Sequence, residues 1–318
     1  MRVVALVPGG IGDQILFFPT LDDLKRSYPE AQLDVVVEPR SKAAYRVSQS
    51  VNDLLTFDYQ DRNSLADWSN FVGTIRDREY DAVITVRESW LMGLVLWLTG
   101  IPTRVGYNGQ GSGFLTNSVP YPSKQYLAAE YHKLLQPFGI NTPCPELAVN
   151  ILKSDIEWSQ NEQKRLGVNE TGYILINAGS SQISPTAVDQ VYPVNNWQEI
   201  IQECQQKQPD LPVVLIQQSE NQQVGRSLFQ RVPGIKVTSP DNIGKLAAMI
   251  GGASLMLSTD DALLQLSVAV QTYTIALFGS RDPGRLLPKS DKFLAIKSPT
   301  DQIADISPQM VLEKIWGG

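Results

Sequence analysis

Short runs of core-type residues alternate with amphipathic stretches along the whole chain. Arg2–Val7, Leu33–Val37, Ala82–Val86, Tyr173–Ile176, Pro212–Ile216, Leu255–Ser258 and Tyr273–Phe278 are dominated by β-branched and aliphatic side chains. Such nearly continuous apolar runs, separated by helical spacing, predict strands buried on both faces, hence βαβ units and parallel sheets. The class is α/β. A second beginning follows residue 170, where Tyr173-Ile-Leu-Ile-Asn-Ala-Gly-Ser-Ser181 repeats the plan of a strand followed by a small-residue turn. Just before it, Ser154-Asp-Ile-Glu157 reads as a capping box opening a polar helix that runs through Gln163 toward Gly167. That helix is the expected hinge. The boundary falls between 155 and 170, which gives Rossmann-like domains over 1–160 and 161–318. Ser307-Pro308 predicts the start of a last helix ended by Gly317, packing on either half.

Composition narrows the functions. With 318 residues, 42% hydrophobic and 19% charged, the chain is long enough for two ordinary cores. A net charge of −6 and the absence of a Lys/Arg run argue against nucleic-acid binding. Cys144 and Cys204 stand apart without CxxC spacing, so they are expected to be reduced and inert. The sole histidine, His132, cannot build a multi-His metal site, and it sits on an apolar helix where a structural role is expected. The chain opens directly on a strand pattern without a charged leader and apolar core, which predicts a cytoplasmic protein. Trp90–Ile101 is apolar but shorter than the about 20 residues a bilayer needs, and it is read as a buried helix.

The candidate chemistry starts at Pro8-Gly-Gly-Ile-Gly-Asp13, between the first strand and a helical segment. Strand, glycine turn and helix start usually cradle a phosphate, yet Asp13 would repel one. The loop lacks the third glycine of the dinucleotide fingerprint and the Lys of a P-loop. Asp13 therefore reads either as a helix N-terminal acid held by free N–H groups, or as a proton acceptor. In the second half a strand ends in Thr259-Asp260-Asp261, a helix follows with Leu263, Leu266 and Val270 in one stripe, and Tyr273–Phe278 leads to Gly279-Ser-Arg-Asp-Pro283. Carboxylates suit hydroxyl-rich ligands and helix N–H groups suit phosphates. A nucleotide sugar is both.

These residues resemble the family 9 glycosyltransferases, the ADP-heptose:lipopolysaccharide heptosyltransferases and their relatives, over essentially the whole chain. Gly12-Asp13 with Pro19-Thr-Leu21 is similar to the family's N-terminal G-D…P-A-L element. Thr259-Asp260…Leu266 with Ala276-Leu-Phe-Gly279…Asp282-Pro283 resembles its T-D-S-G-x-x-H-L-A…A-L-F-G-P-T-D-P signature, and Tyr192–Trp197 its W-P…W segment. The resemblance implies a GT-B-like fold, with two Rossmann-like parallel-sheet domains facing a central cleft. It implies inverting transfer without metal or cofactor, from a nucleotide-diphosphate sugar, ADP-heptose by analogy, to a lipopolysaccharide or other glycan or lipid-linked acceptor. Asp13 then matches the general base. Ser180, Ser181, Glu220, Asp260, Asp261, Ala262 and Gln265 fall at donor-binding positions, with Asp260 as the sugar-binding acid and Glu220 toward the ribose. Envelope assembly would add peripheral association with the inner face of the membrane.

Four positions depart from the family's pattern. Asp261 replaces a small hydroxyl, Ala262 a glycine and Gln265 a histidine, and the basic residue before W-P becomes Gln190 or Val191. A carboxylate near a diphosphate repels it, a Cβ crowds it, and Gln265 cannot become cationic. Each lost charged hydrogen bond is worth about 1.5–3 kcal/mol. Arg281 and Arg285 are the candidate compensating phosphate partners, or else two solvated loop arginines. Arg87 and Glu88 follow a strand end and fit either an acceptor or a rim salt bridge, while Trp68, Trp197 and Trp316 read as packing. The leading expectation is a glycosyltransferase. The alternative is a non-catalytic relative that keeps the fold as a binding or scaffold module, and an incomplete glycine fingerprint leaves little for a nicotinamide oxidoreductase.

Overall fold

The computed structural model describes residues 1–60, 63–120, 125–179, 191–218 and 222–317. The chain forms two compact units, Met1–Ala148 and Val149–Gly318. In the first, β1 (Arg2–Val7), α1 (Ile11–Ser27), β2 (Gln32–Val37), β3 (Asp53–Thr56), α2 (Leu65–Arg76), β4 (Ala82–Thr85), α3 (Trp90–Thr99), β5 (Thr103–Tyr107), β6 (Asn117–Val119) and α4 (Leu127–His132) follow one another. Their strands form one parallel six-stranded sheet in the order β3-β2-β1-β4-β5-β6. The central strands β1 and β2 are buried almost throughout, as their unbroken apolar runs require.

The second unit repeats the plan. It begins with α5 (Lys153–Leu166) and continues through β7 (Ile174–Asn177), α6 (Val194–Lys207), β8 (Val213–Ile216), α7 (Gln222–Arg231), β9 (Lys236–Thr238) and α8 (Ile243–Gly251). β10 (Leu255–Thr259), α9 (Ala262–Ala269), β11 (Thr274–Phe278), α10 (Pro283–Leu286), β12 (Phe293–Lys297) and α11 (Pro308–Trp316) complete it. The parallel order is β9-β8-β7-β10-β11-β12, the same permutation as in the first unit.

Side-chain oxygens supply the missing first-turn partners at most helix starts: Ser64, Ser89, Asn242, Asp261, Asp282 and Ser307 each accept a backbone N–H. The helix read as the hinge differs from its expected form. It starts at Lys153 after Leu152, without a side-chain cap, so Ser154 lies inside it. Asp155 is buried beside Gly244 at the start of α8, and α5 packs on α8 and β9 within the second unit. The last helix, α11, packs on α6 and β11 of the same unit.

α3 corrects another expectation. It is not a buried helix: Met92, Gly93, Val95, Leu96 and Thr99 face the core, while Trp90, Leu91, Trp97 and Leu98 are exposed. Hydropathy alone does not reveal that both faces of this helix are apolar and only one has something to pack on. His132, the sole histidine, is structural. Its Nε2 lies 2.7 Å from Asp23 Oδ2, and Thr142 Oγ1 donates to the same oxygen at 2.7 Å. Burial acts to raise the Asp23 carboxyl, but hydrogen bonds from Thr142, His132 and Arg26 hold it below its ordinary value. Cys144 and Cys204 are free thiols pushed up by burial to about 12 and about 11, which keeps both protonated at neutral pH.

Candidate functional site

A doubly wound sheet binds ligands beyond the carboxyl ends of its strands, where the strand order reverses. In the first unit that point lies between β1 and β4, and in the second between β7 and β10. The sequence places an acid after β1 and two after β10.

In the first unit, the chain leaves β1 through Pro8, Gly9 and Gly10 and enters α1. Gly9 has φ +119°, and a Cβ there would stand 2.4 Å from Asp13 Oδ2, so only glycine lets the turn close over the carboxylate. Asp13 Oδ2 accepts the Gly10 N–H at 2.8 Å, which seats the carboxylate on the helix start. The Gly9 turn is clamped from β2's end: Glu38 Oε1 accepts the Gly9 N–H at 3.1 Å and Ser41 Oγ donates to the Gly9 carbonyl at 2.6 Å. Glu38 is itself buried and paired with Arg40 at 2.7 Å. Gln14 Nε2 donates to the Val7 carbonyl at 2.9 Å, tying the helix back, and Gln14 Oε1 accepts Tyr45 OH at 2.9 Å. Asp13 is half-buried, on a turn fixed from four directions. One carboxylate oxygen caps the start of α1, as the helix-acid reading expects. Arg87 is exposed after β4, and Glu88 Oε1 accepts the Gln110 N–H at 3.0 Å, so Glu88 braces a loop.

In the second unit, Asn177 at the end of β7 reaches across the reversal. Its Nδ2 donates to Ser258 Oγ at 3.0 Å and to Asp261 Oδ2 at 2.7 Å, and its Oδ1 accepts the Gly179 N–H at 3.3 Å. Asp261 Oδ1 accepts the Leu263 N–H at 2.9 Å, so this carboxylate caps α9 with its own charge. Burial raises its carboxyl above the ordinary value, with the Asn177 hydrogen bond opposing the rise. Ala262 is the first residue of α9. Gln265 is buried and donates from Nε2 to the Leu286 carbonyl at 3.1 Å, which ties α9 to α10, while its Oε1 has no partner among the described residues. Ser180, Ser181, Glu220 and Gln190 lie outside the described residues.

Arg281 is not simply a solvated loop residue. Its Nε lies 2.9 Å from Asp260 Oδ2, and its guanidinium also donates to the Asp260 carbonyl. Arg285 occupies α10, its Nε buried without a partner among the described residues. Asp260 is only 5% exposed. Burial pushes its carboxyl up to about 6 despite Arg281, and the neighbouring Asp261 adds to the rise. The arginine pulls weakly because 46% of its side chain is in water. Sequence reasoning did not find Asn177 or the Arg281–Asp260 pair. An Asn ending an otherwise apolar strand was the available signal for the first.

A raised carboxyl in the folded state means that the native protein holds the proton more tightly than the unfolded chain. Stability attributable to Asp260 therefore falls as pH rises from about 4 to about 6, and stays lost above. Asp260→Asn is expected to melt higher than the wild type at pH 8, by on the order of 2 kcal/mol, with the gap closing at pH 4. A gap of equal size at both pH values would refute this account of the pair.

The sequence profile of glycosyltransferase family 9 (heptosyltransferase) matches residues 68–315. The photosynthetic NDH subunit of subcomplex B 1 from Arabidopsis thaliana chloroplasts is 25% identical, over 96% of this chain and 71% of its own. Lipopolysaccharide heptosyltransferase 3 of Escherichia coli is 22% identical, over 85% of this chain and 81% of its own. Among solved structures, the glycosyl transferase family 9 protein of Veillonella parvula aligns with a TM-score of 0.83 at 17% identity, covering 98% of this chain and 95% of that one.

Proposed function

The chain belongs to glycosyltransferase family 9, and we propose that it moves a sugar from a nucleotide-diphosphate donor to a hydroxyl of a glycan or lipid-linked acceptor. The observation that carries this reading is the pair of acids, Asp13 and Asp260, each held at the reversal of strand order in its own unit. The acceptor oxygen attacks the anomeric carbon and gives its proton to Asp13. The bond from that carbon to the diphosphate breaks, with its electron pair passing to the phosphate oxygen. A single displacement of this kind inverts the anomeric centre. Asp260 accepts hydroxyls of the sugar, and Arg281 turns from Asp260 to the leaving diphosphate, so that the growing negative charge falls to a guanidinium and backbone N–H groups with no metal or cofactor required. A heptose donor and a lipopolysaccharide acceptor are the choice favoured by likeness to the heptosyltransferases.

A second reading, a non-catalytic binding or scaffold protein, is favoured by one feature: the carboxylate of Asp261 occupies the first-turn N–H of α9, which anions use elsewhere. A relative named as a subunit of a larger assembly fits it. A thermal-shift panel of ADP, UDP, GDP, CDP and their sugars separates the two. Under the transferase reading one nucleotide at about 100 times its dissociation constant adds about 2.7 kcal/mol, and Asp260→Asn weakens the shift given by the matching nucleotide sugar. A flat panel refutes the transferase reading and leaves the scaffold one.

A further inference from the structure

Three charged groups meet at the end of β10, and their balance changes when a donor arrives. Asp260, 5% exposed, holds the Arg281 guanidinium at 2.9 Å through Oδ2 and a second time through its carbonyl oxygen. Asp261 follows at once. Its N–H donates back to the Thr259 carbonyl at 2.9 Å, so the chain turns tightly at Asp260. Asp261 is held by neutral donors, the Asn177 amide at 2.7 Å and the Leu263 N–H at 2.9 Å. Among the described residues, the charges acting on Asp260 are Arg281, which lowers its carboxyl, and Asp261, which raises it, and Arg281 is also the cation acting on Asp261.

Two carboxylates therefore share one guanidinium. That guanidinium belongs to a side chain with 46% of its surface in water, where an incoming phosphate reaches it. Once it turns to the phosphate, Asp260 is a buried carboxylate without its cation, beside a second carboxylate. Removing one partner of a buried pair leaves an uncompensated charge, and carboxyls that share a site do not both stay ionised. Neither Asn177 nor the Leu263 N–H can supply a positive charge in place of the arginine.

Resting on the transfer reading, we infer that binding of the nucleotide-diphosphate sugar draws one proton from solvent onto the Asp260–Asp261 pair as Arg281 passes to the phosphate. The pair goes from two negative charges to one as its cation is taken. The proton returns to solvent when the nucleotide leaves and Arg281 closes on Asp260 again. It belongs to the pair rather than to either residue. A carboxyl that carries it also donates to a sugar oxygen, which a carboxylate cannot do. Burial already lifts Asp260 to about 6 with Arg281 in place, so the departure of the arginine carries the pair upward through neutral pH. A complex that holds the proton more tightly than the free protein is favoured in acid, so donor affinity falls as pH rises.

The test is titration calorimetry of the full chain with the glucose derivatives of ADP, UDP, GDP and CDP, whose diphosphates do not titrate near neutral pH. Each is run at pH 7.5 in PIPES and in Tris, whose ionisation heats differ, so the difference in binding heat counts protons. For the sugar that binds, the wild type is expected to take up close to one proton, and its affinity to fall by about tenfold from pH 7 to pH 8. Asp260→Asn and Asp261→Asn each leave a single carboxylate and should take up well under half a proton. Asp261→Asn, which keeps an oxygen for the Leu263 N–H, should bind about tenfold more tightly than the wild type at pH 8. Wild-type binding without proton uptake overturns the inference and leaves the transfer reading standing. So does uptake undiminished in both variants, which assigns the proton to another group. No binding of any of the four sugars, by the wild type or by Asp261→Asn, overturns the inference together with the transfer reading.

Discussion

Asp13→Asn is expected to lower sugar transfer by about 10²–10⁴-fold while leaving the nucleotide-induced thermal shift of the protein unchanged. The reasoning follows from what the carboxylate does in the turn. Asparagine keeps an oxygen to accept the Gly10 N–H, so the start of α1 survives. It loses the negative charge that favours a helix N-terminus, which costs about 0.3–1 kcal/mol. It also loses the basic electron pair, and nothing compensates for that. Structure and chemistry are thereby separated: a folded protein that binds donor and does not transfer is the expected result. Transfer at more than half the wild-type rate would remove Asp13 from the reaction and leave it as a helix acid alone.

Trp197→Ala is expected to destabilise the second unit by about 3–5 kcal/mol. Trp197 is fully buried on α6, among Ile200, Ile201 and the strands of the second sheet. Its ring meets Tyr192 edge-on at 5.0 Å, and Tyr192 OH in turn donates to the Ile306 carbonyl at 2.9 Å, just before α11. Truncation leaves a cavity at the junction of α6, the sheet and the approach to α11, and takes away the surface that holds Tyr192 in place. For a unit of this size each kcal/mol moves the midpoint by about 2–4 °C, so the melting temperature falls on the order of 10 °C. Trp197→Phe, which keeps a ring against Tyr192, should lose less than half as much. Melting curves of the two variants that coincide with the wild type would show that the indole is not what closes this core.

The central strands were legible because burial on both faces writes a continuous apolar run, and the predicted limits of β1 coincide with those observed. β3, β6, β9 and β12 escaped the pattern because they are sheet edges of three to five residues with solvent on one side. β5, Thr103-Arg-Val-Gly-Tyr107, escaped because its polar positions break the run. The acids at strand ends were legible from turn chemistry. The partners of those acids were not: Asn177 meets Asp261 across 84 residues, and Arg281 meets Asp260 across 21. Those meetings depend on which strands lie side by side, and the chain order does not state that. For α3 the composition was read correctly as apolar and its burial incorrectly, because a helix apolar on all sides does not say which side the core takes.

The Asp23–His132 contact has a consequence in time. Asp23 is made early, in α1, and the imidazole and hydroxyl that receive its carboxylate lie 109 and 119 residues further on. At about 5–20 residues per second, a nascent chain waits roughly 5–20 s with that acid paired only to Arg26 on its own helix before α4 and Thr142 emerge. Until then the neighbouring surface of α1 has a charge that resists being buried. The buried partners of that carboxylate are thus complete only when nearly all of the first unit has been made.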